Sequence, residues 1–272
     1  MLNFSAVAIS QLNHSPGSLS SGTALLLALC LGCKYRFPYV KRFLAEIADD
    51  FVSLVYPHYC EGCLRALVKG EDILCTECLS DLPRTNMYLD PENALATRLR
   101  GRIPVTAAAA FLRFRKKGKV QRLLHALKYR NRPEIGVRLG YVYGCELASS
   151  GFCDVFDLIV PVPLHPVRLK ARGYNQAEEW ARGLSEATGI RYDSKIIRRL
   201  RNTKTQTNRS RINRWENVSD VFVVADVDAL QNRKVLLVDD VVTTGATLEA
   251  CGQALLNAGC AGLGIVCIAM AQ

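Results

Sequence analysis

The 272-residue chain offers no apolar run of the ~20 residues that a bilayer span requires. Its candidate, TALLLALCLGC from Thr23 to Cys33, is too short. That run also lacks the basic leader and small-residue cleavage site of a secretory signal. A hydrophobic anchor stays open as its alternative role, but no stable membrane span is expected. Residues 1–40 read as an N-terminal extension, either a disordered leader or an upstream start codon taken in error. No G-K-[ST] is present, which excludes a Walker A loop. There is no internal repeat, and no spacing suggests a serine–histidine–aspartate hydrolase. Aromatic residues are sparse at 8%, so base-stacking platforms are few; Tyr129, Tyr174 and Trp215 are the candidates. Acidic residues are missing from two segments. Arg98 to Arg132 carries twelve Lys/Arg and no acid, and Lys195 to Arg214 carries eight more. Against a net charge of +10, such runs suit a solvated face or contact with phosphate or nucleic acid.

What is present is a globular composition, 49% hydrophobic and 22% charged. A short amphipathic segment, FLAEIADDFVSLVYP, precedes a cysteine-dense block and a Pro/Asn-rich connection. From about residue 100, apolar strands alternate with helices. VTAAAAFLRF, DLIVPVP, VFVVA, KVLLVD and LGIVCIA read as strands. In KVQRLLHALKY, Val120, Leu123, Leu124 and Leu127 follow helical spacing. NQAEEWARGLSEATG reads as a helix stopped by Gly189, and GATLEACGQALLNAG as another. The alternation predicts an α/β fold with a parallel sheet covered on both faces. The expected organisation is an extension over 1–40, a cysteine module over 43–82, a linker over 83–100 and the α/β domain over 101–272.

The eleven cysteines do not suggest a secreted disulfide framework, since their number is odd. Four stand apart as Cys60-x-x-Cys63 and Cys75-x-x-Cys78, two knuckles able to wrap thiolates tetrahedrally around Zn²⁺. A block this small has little core, so a metal would supply its stability. Cys30 and Cys33 read as incidental, and the later cysteines as small core residues. Thiols in this number point to a reducing cytoplasm.

The stretch KVLLVDDVVTTGAT, Lys234 to Thr247, carries the chemistry. A strand delivers Asp239 and Asp240 to the carboxyl edge of a parallel sheet, where ligands bind. The TTGAT turn then opens a helix, and its N–H groups and hydroxyls suit a phosphate. A metal site or simple helix capping are the alternatives.

This stretch resembles the phosphoribosyl pyrophosphate (PRPP) motif of type I phosphoribosyltransferases. More narrowly, the chain resembles the ComF family of competence-associated, amidophosphoribosyltransferase-like proteins. The likeness rests on the paired C-x-x-C block, HALKYRNRPEIG, PVPLHPVRLKARGYNQAEEWA and RNTKTQT…RWENVSDVF, and covers about residues 43–271. It implies a phosphoribosyltransferase-like parallel sheet flanked by helices, with a small zinc-ribbon-like module at its N-terminal side. Asp239 and Asp240 would bind the ribose 2′- and 3′-hydroxyls, and Thr243, Thr244, Gly245, Ala246 and Thr247 would enclose the 5′-phosphate. Arg168, Lys170 and Arg172 would meet the diphosphate with Mg²⁺. Arg201 and Lys204 would lie on a loop that closes over PRPP. The implied reaction is phosphoribosyl transfer to an unidentified acceptor through an oxocarbenium-like transition state. His125 and His165 read as structural or pyrophosphate-side residues rather than a general base. The alternative is a non-catalytic, PRPP-sensing accessory protein that touches single-stranded DNA and DNA-uptake proteins.

Overall fold

The computed structural model describes residues 56–200 and 221–271. Most of the amphipathic segment starting at residue 43, the Cys30/Cys33 pair and all but the last two residues of RNTKTQT…RWENVSDVF lie outside the described residues. In chain order the elements are α1 (Thr76–Ser80), α2 (Ala94–Arg100), β1 (Ala107–Phe114), α3 (Lys119–Tyr129), α4 (Glu134–Ser149) and β2 (Leu158–Pro161). There follow α5 (Pro166–Arg172), α6 (Gln176–Thr188), β3 (Ile197–Arg199), β4 (Phe222–Val224), β5 (Lys234–Val242), α7 (Ala246–Asn257) and β6 (Gly262–Ala271).

Four strands form one parallel sheet in the order β1-β6-β5-β2. Burial on both faces explains their continuous apolar runs, because neither face meets water. Along β5 the side chains alternate between two core layers. Leu236 and Val238 join Phe111, Leu123 and Trp180 on one face, while Val235 and Leu237 join Leu99, Leu248 and Leu255 on the other. The sheet is thus covered by α3, α4 and α6 on one side and by α2 and α7 on the other.

One expected strand behaves differently. VFVVA yields β4, which pairs antiparallel with β3 in a separate two-stranded ribbon. Only Phe222 of its three residues is buried, so it lacks the two apolar faces that a central strand needs.

The helix α4 was not apparent from periodicity, because three glycines weaken its propensity. Gly136, Gly140 and Gly144 recur every fourth residue and let α6 approach closely. A Cβ at Gly140 would lie 2.5 Å from the Trp180 carbonyl oxygen, and one at Gly183 only 2.0 Å from that of Val137. This contact seats Trp180, which is fully buried and stacks 6.0 Å from Tyr143. Through it the amino end of α6 is fixed beside the carboxyl edge of the sheet.

The cysteine module belongs to the same compact unit, Pro57–Gln272. Cys60, Leu74, Cys78 and Leu82 share a core layer with Phe111 and Leu123. Ion pairs tie the module down: Glu61 to Arg132 at 2.5 Å and Asp81 to Lys119 at 2.5 Å. The connection after it is packed rather than free, with Leu95 and Leu99 fully buried and Asn93 bonded to the Ala108 carbonyl at 2.7 Å.

Candidate phosphoribosyl and metal sites

Toward the carboxyl end of β5, Asp239 and Asp240 stand beside a cleft of about 220 Å³. Both aspartates line it, together with Arg168, Arg172 and Thr247. Burial first, and then the neighbouring Asp240 charge, push the Asp239 carboxyl up from its ordinary value to about 7. The Asp240 N–H donates to Asp239 Oδ1 at 2.8 Å and opposes that rise. Lys128 Nζ lies 2.7 Å from Asp240 Oδ2 and supplies the nearest positive charge.

The turn from β5 into α7 is shaped from behind by α2 and the residues just after it. Gly245 has φ +83°, a left-handed conformation that glycine adopts without steric cost. Arg98 donates to the Thr243 carbonyl at 2.6 Å and Arg102 to the Thr244 carbonyl at 2.7 Å. In a trans peptide the N–H points opposite the carbonyl. The two arginines therefore turn the N–H groups of Thr244 and Gly245 away from α2. Thr244 Oγ1 accepts from the Ala246 N–H at 3.4 Å. The result is an outward set of backbone donors at the positive end of a twelve-residue helix, suited to an anion. Thr243 borders an adjoining cavity lined by Phe114, His125 and Tyr129.

The residues after β2 form helix α5 rather than an extended loop. His165 caps it, its Nδ1 accepting from the Val167 N–H at 3.3 Å, which gives that histidine a structural task. Arg168 and Arg172, four residues apart, share a helix face and border the cleft. Lys170 lies between them on a different face and does not line it. Arg201 and Lys204 lie outside the described residues.

Most of the residues that line or brace the cleft were not singled out from sequence; Tyr174 was, as a base-stacking candidate. Lys128 follows Leu124 by four residues and shares its helix face, and both border the adjoining cavity. Asn175 is buried, donates to the Val162 carbonyl at 3.0 Å and caps α6 through the Ala177 N–H at 3.2 Å. The Tyr174 hydroxyl donates to the Leu127 carbonyl. The G-Y-N run thus binds the cleft's two walls to each other. Gln176 and Arg199 also line the cleft. Arg98 and Arg102 carried no signal beyond their positive charge.

The four cysteine sulfurs of the module lie within 4.8 Å of one another. Cys63 Sγ and Cys75 Sγ are 3.7 Å apart, close to the ~3.8 Å edge of a tetrahedron with Zn–S bonds of about 2.3 Å. Backbone N–H groups of Gly62 and Cys75 each donate to Cys60 Sγ at 3.3 Å, as they would to a thiolate. Arg65 Nε is 3.4 Å from Cys63 Sγ and is the first cause lowering that thiol to about 6. The donor set fits a structural Zn²⁺ site, and the block is a zinc-ribbon-like module.

A family model for the phosphoribosyl transferase domain matches residues 166–271. The chain is 31% identical over 213 residues to the DNA utilization protein YhgH of Escherichia coli K12, covering 77% of this chain and 88% of that protein. It is 35% identical over 235 residues to competence protein F of Haemophilus influenzae, covering 85% of each. The chain belongs to the ComF family. As a ComF protein it pairs a phosphoribosyltransferase-type domain with a four-cysteine module. A looser likeness joins it to the glutamine PRPP amidotransferase of B. subtilis, at 20% identity and a TM-score of 0.38 over 53% of this chain and 30% of that one. Among the described residues no helix is long and apolar enough to cross a membrane.

Proposed function

We propose that this ComF protein binds PRPP in the cleft and transfers its phosphoribosyl group. The observation that carries this reading is the pairing of Asp239 and Asp240 with an anion-ready helix start on one strand end. Two carboxylates accept hydrogen bonds from vicinal hydroxyls, while outward N–H groups and threonine hydroxyls donate to a phosphate. Arg168 and Arg172 face the diphosphate and offset the charge that grows on it as the C1′–O bond breaks. Lys128 pairs with Asp240 and orients it. Mg²⁺, when bound, would neutralise charge on the departing diphosphate; hard oxygen ligands, from the diphosphate and from a cleft without thiols, suit it. Zn²⁺ would be held by Cys60, Cys63, Cys75 and Cys78. Pyrophosphate release from PRPP, measured across nucleobases and ammonia as acceptors, tests transfer. No release above the rate of spontaneous hydrolysis with any acceptor would count against catalysis and leave a binding role.

A second reading is an accessory protein that senses PRPP while handling single-stranded DNA during uptake. It is favoured by the exposed run Arg113, Arg115, Lys116 and Lys117, none of which forms an ion pair among the described residues. The competence and DNA-utilization names of the relatives agree with it. Titration of a single-stranded oligonucleotide at low and high salt tests this role, and absence of affinity at low salt would remove it.

A further inference from the structure

Two buried donors at the cleft lack an acceptor. Gln176 is 1% exposed, yet its Nε2 makes no hydrogen bond. The Nε of Arg199 is likewise buried and unpaired. Buried polar groups are nearly always satisfied, so an exception calls for an absent water, ion or ligand. Five such side-chain atoms occur among the described residues, and these two belong to residues lining the cleft. Their environment favours an anion. The cleft's charged residues are four cations (Lys128, Arg168, Arg172, Arg199) and two acids (Asp239, Asp240), leaving a net charge of 4 − 2 = +2. Arg199 is held from behind over the Phe222 ring at 5.4 Å. Burial first, and then the charge of Arg168, pull its guanidinium below its ordinary value, as expected for cations crowded without a counter-anion. Gln176 begins α6 immediately after Asn175, whose bond to Val162 ties it to the segment leading into α5. Gln176 is thereby tied to the Arg168/Arg172 side of the cleft, and Arg199 lies within reach of the Arg168 charge.

We propose that Gln176 Nε2 and the Arg199 guanidinium join Arg168 and Arg172 in holding the diphosphate of PRPP. This rests on the PRPP reading above and adds α6 and β3 to its diphosphate subsite. The test is calorimetric titration of the full chain with PRPP, pyrophosphate and ribose 5-phosphate, each with Mg²⁺. The variants are Gln176→Met, which keeps length and packing while removing the donor, and Arg199→Lys. Each variant should lose about tenfold or more in affinity for PRPP and pyrophosphate. Ribose 5-phosphate affinity should stay within about twofold of wild type. Equal losses for all three ligands would overturn the assignment as a fold defect, and losses confined to PRPP and ribose 5-phosphate would overturn it as a sugar contact. Unchanged affinity for PRPP and pyrophosphate in both variants would overturn it as well. Wild-type protein that binds none of the three would instead refute the PRPP reading on which it stands. If Gln176→Met does not fold, Gln176→Leu and the Arg199→Lys titration decide the question by the same ratio.

Discussion

Replacing Asp239 by Asn should stabilise the unliganded protein at alkaline pH. The Asp239 carboxyl is raised to about 7, by burial first and by Asp240 second. In the unfolded chain it titrates near ~3.9. Between these values the folded state holds a proton that the unfolded state has lost, so stability falls as pH rises through that window. Above it the penalty is constant. A shift of about three units corresponds to a ceiling of about 4 kcal/mol. The carboxylate keeps some exposure, and asparagine has its own desolvation cost. The expected gain is therefore about 1–2 kcal/mol at pH 8.5. At pH 5.5 the folded carboxyl is still protonated while the unfolded one has ionised, so about half of the penalty is present and the gain should fall to about 0.5–1 kcal/mol. Asparagine Oδ1 can still accept from the Asp240 N–H, so the turn is preserved. Urea unfolding of wild type and variant at both pH values reads this directly, since titrating groups other than the adjoining Asp240 cancel in the difference. A variant no more stable than wild type at pH 8.5, or a gain equal at both pH values, would refute the reasoning.

Three further outcomes follow from the packing. Arg98→Ala with Arg102→Ala removes two hydrogen bonds behind the threonine turn, at about 0.5–1.5 kcal/mol each, and should weaken ribose 5-phosphate binding about tenfold in calorimetry. Gly140→Val would drive a side chain into the Trp180 carbonyl and should destabilise the protein by about 3 kcal/mol or more in urea unfolding. Cys60→Ser should abolish stoichiometric zinc, measured by atomic absorption, and lower the melting temperature, because Cys60 and Cys78 stand in the core layer shared with Trp180.

The parallel sheet was legible because β2, β5 and β6 are buried on both faces and so appear as unbroken apolar runs. The C-x-x-C pairs and the DD…TTGAT stretch were legible because each motif gathers its chemistry within a few residues. Tertiary pairing hid the rest. α4 gives up helix propensity to bring Gly140 against Trp180, so periodicity understated it. Arg98 meets Thr243 across 145 residues of chain, and Lys128 meets Asp240 across more than a hundred, which no local pattern encodes. Gln176 is adjacent to a legible cap, Asn175, but its missing acceptor exists only in three dimensions. Lys170, which the resemblance groups with Arg168 and Arg172, falls on a different helix face and does not line the cleft.

The central claim is that the paired aspartates and the threonine turn form a PRPP site. Calorimetry with PRPP and Mg²⁺, comparing wild type with the Asp239→Asn/Asp240→Asn double variant, tests it most directly. The account predicts saturable one-to-one binding by wild type and none by the double variant, whose fold is checked by urea unfolding. Equal affinity in the two proteins, or no binding by wild type, would contradict it.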